Sequence, residues 1–200
     1  GYVHLGGGSH GNLDGQIAYQ FDFTDKDALA LDLSLKGFNG KTRENDCFGV
    51  EEWKSRDYRN RAALKYSHRF ANGADFYVKG AFENHLFNYL AYGGDTDKQH
   101  NVLGNAVIGI DPYRTGGLTV GASAGVKIFQ QNYLTSLQEK LGEMLIHANA
   151  DVAYQLDDVQ RAGLGVEFVN SSYKTDGLEG AARFRFTPHY IYNSDLMRLK

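Results

Sequence analysis

The gaps between strand-like segments alternate in length along the whole chain. Short connections recur at 24–27, 71–73, 112–116, 157–159 and 193–195. Between them lie long polar stretches at about 38–56, 85–100, 130–141 and 170–176. A chain punctuated in this way runs as an up-and-down antiparallel meander, with tight turns on one rim and long connections on the other.

Strand candidates fall at 2–7, 13–23, 28–37, 57–70, 74–84, 101–111, 117–129, 142–156, 160–169 and 177–192. Several exceed the ~5–6 residues of an ordinary strand. They suit the ~9–11 residues that a tilted strand needs to cross a bilayer. Each has two unlike faces. Leu29, Leu31, Leu33 and Leu35 oppose Asp32, Ser34 and Lys36. Leu118, Val120, Ala122, Ala124, Val126 and Ile128 oppose Thr119, Gly121, Ser123, Gly125 and Lys127. Ile146, Ala148, Ala150 and Val152 oppose His147, Asn149 and Asp151, and Phe184 and Phe186 alternate with Arg183 and Arg185. Period two argues β structure. A water-soluble barrel turns its apolar parity inward, whereas a membrane barrel turns it to lipid. The mixture of Arg, Lys, Asp and Gly on the polar side suits a wet or plugged lumen. Tyr19, Phe21, Phe23, Phe70, Phe76, Tyr190 and Tyr192 gather beside the short turns, as an interfacial girdle requires. The expected fold is an all-β, antiparallel, transmembrane outer-membrane barrel, with about ten strands in 1–200 as a single barrel segment and no plug domain.

Composition agrees. The 200 residues hold 24 Gly, 12 Phe and 13 Tyr, against 2 Pro and 1 Trp. The formal net charge of −3 implies no general attraction to nucleic acid. No apolar run reaches the ~18 residues of a membrane helix, and alternating strands hide their lipid face from a mean hydropathy of −0.45. The lone Cys47 has no partner for a disulfide and no neighbouring zinc ligands.

The alternation, the aromatic-flanked turn Phe-Asp-Phe-Thr-Asp-Lys-Asp (21–27) and the closing Arg-Phe-Thr-Pro-His-Tyr-Ile-Tyr (185–192) resemble the barrel region of TonB-dependent-receptor-like outer-membrane proteins of Bacteroidetes style. The resemblance implies a barrel of roughly 22 strands, an N-terminal plug, uptake of a scarce solute, and energy from an inner-membrane complex. It also implies the outer membrane of a Gram-negative bacterium and contact with its lipid. No plug-like stretch or energy-coupling box is seen within 1–200. After the last short turn, 196–200 reads as the start of an eleventh strand, so further strands are expected, even-numbered in total.

Chemistry-bearing motifs are few. Gly6-Gly7-Gly8-Ser9-His10-Gly11 lacks the Lys-Ser/Thr of a phosphate loop and reads as a hairpin connection. The seven histidines never adopt HExxH spacing, and Asp95-Thr96-Asp97 lacks the rest of a calcium loop. Thr135 and Gln138 have capping-box spacing in one long connection. No catalytic residues, metal or cofactor are assigned. An outer-membrane enzyme is one alternative, with Ser67–His68 or Asp151–His147 as its candidates; a soluble ligand-binding or structural β protein is another. The candidates for lining the interior are Arg59, Arg61, Lys65, Asp151, Glu167, Arg183 and Arg185. Phe48, Trp53, Tyr89 and Tyr92, in the long connections, are the candidates for first contact with an unknown small solute.

Overall fold

The computed structural model describes residues 1–46, 49–90, 96–133, 140–175, 177–193 and 198–199. Ten long strands follow one another: β1 (Tyr2–Gly8), β2 (Asn12–Asp22), β3 (Asp27–Asp46), β4 (Gly49–Arg69), β5 (Asp75–Leu90), β6 (Thr96–Thr115), β7 (Leu118–Tyr133), β8 (Lys140–Gln155), β9 (Gln160–Tyr173) and β10 (Ala181–Asn193). A two-residue β11 (Arg198–Leu199) pairs with the end of β10 where the eleventh strand is expected. Every strand is antiparallel to its chain neighbour, so sheet order is chain order. Such a meander is built only from hairpins, the pairing with the smallest loop-closure cost.

The short connections at 24–27, 71–73 and 157–159 stand where the sequence places them, and their chemistry is visible, while 194–195 lie outside the described residues. Thr24 Oγ1 accepts from the amides of Lys26 and Asp27 at 3.1 and 3.0 Å. Asp157 Oδ1 accepts from those of Val159 and Gln160 at 2.9 and 2.8 Å. Gly73, with φ of 88°, takes the left-handed position that a side chain would strain. One boundary moves. The register slips between Ile110 and Tyr113, and this bulge carries β6 past Pro112 to Thr115. A bulge accepts proline because the ladder is already interrupted there.

The long connections are a correction. Most of 38–56 is not loop, because β3 and β4 stay in register from Asp27↔His68 to Asp46↔Gly49. Pairing of β5 with β6 likewise reaches Leu90↔Thr96, and β7 with β8 reaches Asn132↔Lys140. These are two-stranded ribbons growing out of one rim. The β3–β4 ribbon reads as loop because 39–46 holds only polar residues and glycine, so the alternation that marks a strand disappears while the backbone ladder continues. Gly6–Gly8 belong to β1, and a 3-10 turn at Ser9–Gly11 makes the first connection on that same rim. The capping-box residues Thr135 and Gln138 lie outside the described residues.

Register keeps the two parities apart across the sheet. One cross-strand row reads Phe21–Leu29–Tyr66–Val78–Ile108–Ala124–Ala148–Phe168–Phe184. On the opposite face a row reads Ala28–Ser67–Tyr77–Gly109–Ser123–Asn149–Glu167–Arg185. The apolar face is bare: Leu33 is 38%, Phe82 51%, Ile108 50% and Phe184 64% exposed. The buried strand residues, Tyr77, Gln99, Gly109, Gly121 and Ala153, all lie on the polar parity. The sheet therefore curls toward its polar face, and no large side chain among the described residues is fully buried.

Glycine on the polar face makes that curl possible. A Cβ on Gly109 would meet Tyr77 Oη at 2.6 Å, and one on Gly125 would meet His147 Nε2 at 2.7 Å. Each ring lies over the glycine directly opposite it in the neighbouring strand, and His189 covers Gly163 in the same way. The ring fills the space that a bare backbone leaves.

Candidate functional site

Three hollows on the polar face take six of the seven interior candidates, and register divides these among them. Arg59 lines a hollow of about 790 Å³ with His4, Asp14 and Lys36, near the rim of the ribbons. Arg61 and Lys65 line a second of about 680 Å³. Asp151, Glu167 and Arg185 line a third of about 380 Å³ with Tyr77, Ser123 and Thr187. All seven candidates, Arg183 included, thus share the polar face, because β4 presents its odd residues there and so do β8, β9 and β10.

Within the face, opposite charges largely pair across strands. Arg61 Nη1 donates to Asp32 Oδ1 at 2.9 Å, and Gln16 donates to the other oxygen of Asp32 at 3.1 Å. Glu167 accepts from Arg183 at 3.2 Å and from Arg185 on its second oxygen. Ser123 Oγ donates to Asn149 at 2.8 Å, and His85 lies 2.9 Å from Asp57. Such half-exposed pairs organise the face more than they stabilise it. Asp32, Tyr77, Lys79 and Glu83 belong to the same face beside the seven candidates. The parity of β5, which alternates Phe76, Val78, Gly80 and Phe82 with Tyr77, Lys79, Ala81 and Glu83, is the signal that finds the last three.

The pairs weighed for catalysis separate. Ser67 and His68 are consecutive in β4 and point to opposite faces. His147 packs on Gly125, while the imidazole nearest Asp151 is His189 at 3.8 Å. Of the solute-contact candidates, Trp53 falls in β4 and Tyr89 in β5 by backbone, in the ribbon portions. Phe48 and Tyr92 lie outside the described residues, as do Cys47 and Asp95.

A second polar cluster sits at the short-turn rim, beyond the apolar band. Asp27 accepts from Thr24 Oγ1 at 2.6 Å and Tyr66 Oη at 2.6 Å, and meets His68 Nδ1 at 2.7 Å. The hydrogen bond from Thr24, then those from Tyr66 and His68, hold its carboxyl well below the usual carboxylate range. Next to it, Arg69 grips Asp75 with two bonds of 2.8 and 3.0 Å, which lowers the Asp75 carboxyl too. A carboxyl depressed in the folded state contributes stability that is complete above its unfolded pKa, about 4, and is lost as the pH falls through its folded value. Asp27→Asn should therefore flatten the acid limb of an unfolding profile in lipid below about pH 4 and leave the slope near neutrality unchanged. An acid limb identical to that of the parent chain would show that the cluster has no part in it.

No protein-family model and no curated protein matches the chain. Among solved structures, the alcaligin outer-membrane receptor FauA from Bordetella pertussis superposes with a TM-score of 0.64 at 11% identity, over 92% of this chain and 33% of its own. This chain spans about a third of that receptor's length. At such identity the likeness is one of fold: the meander has the layout of a stretch of outer-membrane receptor barrel.

Proposed function

We propose that residues 1–200 form part of the wall of an outer-membrane β-barrel in a Gram-negative bacterium, one that takes up or passes a small solute without catalysis. The observation that carries this reading is the pairing of facings: the apolar parity is bare while the polar parity lies inside the curl. A soluble protein does not expose contiguous apolar surface across a whole sheet, whereas hydrocarbon demands it. The fold likeness to a receptor barrel supports the same reading. In hydrocarbon, the outer edges of β1 and β10, unpaired over most of their length among the described residues, need further strands to close the ladder.

In this arrangement Arg59, Arg61, Lys65, Asp151, Glu167, Arg183 and Arg185 line the lumen, where they contact a plug domain or set selectivity. Trp53 and Tyr89, on the ribbon portions of β4 and β5, are the proposed first contacts with the solute, together with Phe48 and Tyr92 outside the described residues. Uptake in the manner of TonB-dependent receptors would add the plug and an inner-membrane energising complex. Size-exclusion chromatography with circular dichroism tests the wall directly. The chain should aggregate in buffer and become a dispersed, β-rich species only in detergent or lipid. A monodisperse β-rich species without detergent would instead place the apolar parity in a protein core.

A further inference from the structure

We propose that the second hollow is a binding site for a small oxyanion, a phosphate- or carboxylate-bearing solute, seated between Lys65 and Lys79. The inference rests on the lumen assignment above and gives the passing solute a charge.

Lys65 and Lys79 stand directly opposite each other across β4 and β5 on the inward face. Like charges in that position destabilise a sheet. Other cations on the face have carboxylate partners, Asp32 for Arg61 and Glu167 for Arg183 and Arg185, and a second opposed pair, Lys36 and Arg59, borders the first hollow. The lysine pair has no ion pair among the described residues. Asp75 is the carboxylate close enough to feel Lys65, and Arg69 already holds both of its oxygens. What steadies the ammonium groups is the Tyr77 ring, with Lys79 Nζ at 4.2 Å and Lys65 Nζ at 5.9 Å from its centroid. Tyr77 is 8% exposed as a residue and its ring is seated on Gly109, so it forms a fixed platform.

The room beside that platform is real. Ala18, Ala63 and Ala81 stand in one cross-strand row whose β3 member is Asp32, a carboxylate already held by Arg61 and Gln16, and Ala30 lies one step along beside Lys65. Four short side chains there leave a hollow of about 680 Å³, wide enough for a small organic anion. Asn105, directly opposite Ala81, borders it and supplies an uncharged donor. Two unmatched cations, a neutral amide donor and a small-residue floor together define an anion seat. An oxyanion there offsets the repulsion that the sheet otherwise carries.

The test is calorimetric titration of inorganic phosphate, and separately of citrate, into the chain reconstituted in lipid at low ionic strength. Saturable binding of at least one anion is expected, weakening as salt rises. Lys65→Gln with Lys79→Gln should lower the affinity about tenfold or more, the scale of one lost charge-assisted hydrogen bond. Lys65→Arg with Lys79→Arg should retain it, and Lys36→Gln, on the same face but in the first hollow, should leave it unchanged. Binding of phosphate alone or of citrate alone identifies which oxyanion class the seat takes. No saturable binding of either anion, or equal loss in the Lys36 variant, would overturn the proposal. Water-accessible labelling at Ser34→Cys in the same preparation keeps the two readings apart. If Ser34 labels and neither anion binds, the anion seat alone fails; if Ser34 is shielded by lipid, the lumen assignment fails first.

Discussion

Leu33→Arg should cost about 2–4 kcal/mol of stability in lipid, the range for a cation placed in the middle of a barrel's lipid face. Leu33 stands within the apolar row of β3, paired with Ile17 on one side and Ala62 on the other, and is already 38% exposed to the surroundings of the sheet. One residue along, Ser34 points inward and faces Gln16 and Arg61. Ser34→Arg adds only a like charge in a wet interior, about 1 kcal/mol or less. Depth sharpens the comparison. Val120 shares the lipid parity but sits two residues into β7, close to the short-turn rim, so Val120→Arg should cost only about 1 kcal/mol. Reversible unfolding of the three variants in lipid bilayers checks the ordering. Equal costs for Leu33→Arg and Ser34→Arg would overturn the assigned facings.

Gly109→Val should destabilise by about 1–3 kcal/mol, the usual cost of overpacking a filled space. Its Cβ would meet the Tyr77 hydroxyl oxygen at 2.6 Å and the backbone carbonyl of Ala122 at 2.8 Å. The ring can swing away, but the carbonyl cannot. Combining the change with Tyr77→Ala should therefore recover part of the loss and leave a residue of strain. Gly104 is the control, because a Cβ there meets nothing within 4 Å, and valine suits an open strand position. Gly104→Val should be neutral or slightly stabilising. If both valine variants unfold alike, the ring-over-glycine packing has no energetic weight.

The parts of this fold legible in the sequence are those with a local cause. Period two marks the two-faced portion of nearly every strand, and residues such as Thr24, Gly73 and Asp157 mark the turns. Parity alone assigns Arg59, Lys65, Asp151 and Glu167 to one face without knowledge of register. The ribbons were not legible, because Asn39, Lys41, Gly40 and Thr42 show no apolar side to betray a strand. Nor was the lysine pair. That Lys65 meets Lys79 depends on the register between β4 and β5, which the turn at 70–74 fixes, and a shift of two residues would have set Lys65 against Ala81 or Tyr77.

The most direct measurement is a single-cysteine spin-label scan of residues 28–36 in a Cys47→Ser background, in lipid, read for access to oxygen and to a water-soluble relaxant. Oxygen access should peak at Leu29, Leu31, Leu33 and Leu35, and water access at Ala30, Asp32 and Ser34, alternating residue by residue. The reverse phase, or the same access at every position, would contradict a sheet whose apolar side faces lipid and whose polar side faces the lumen.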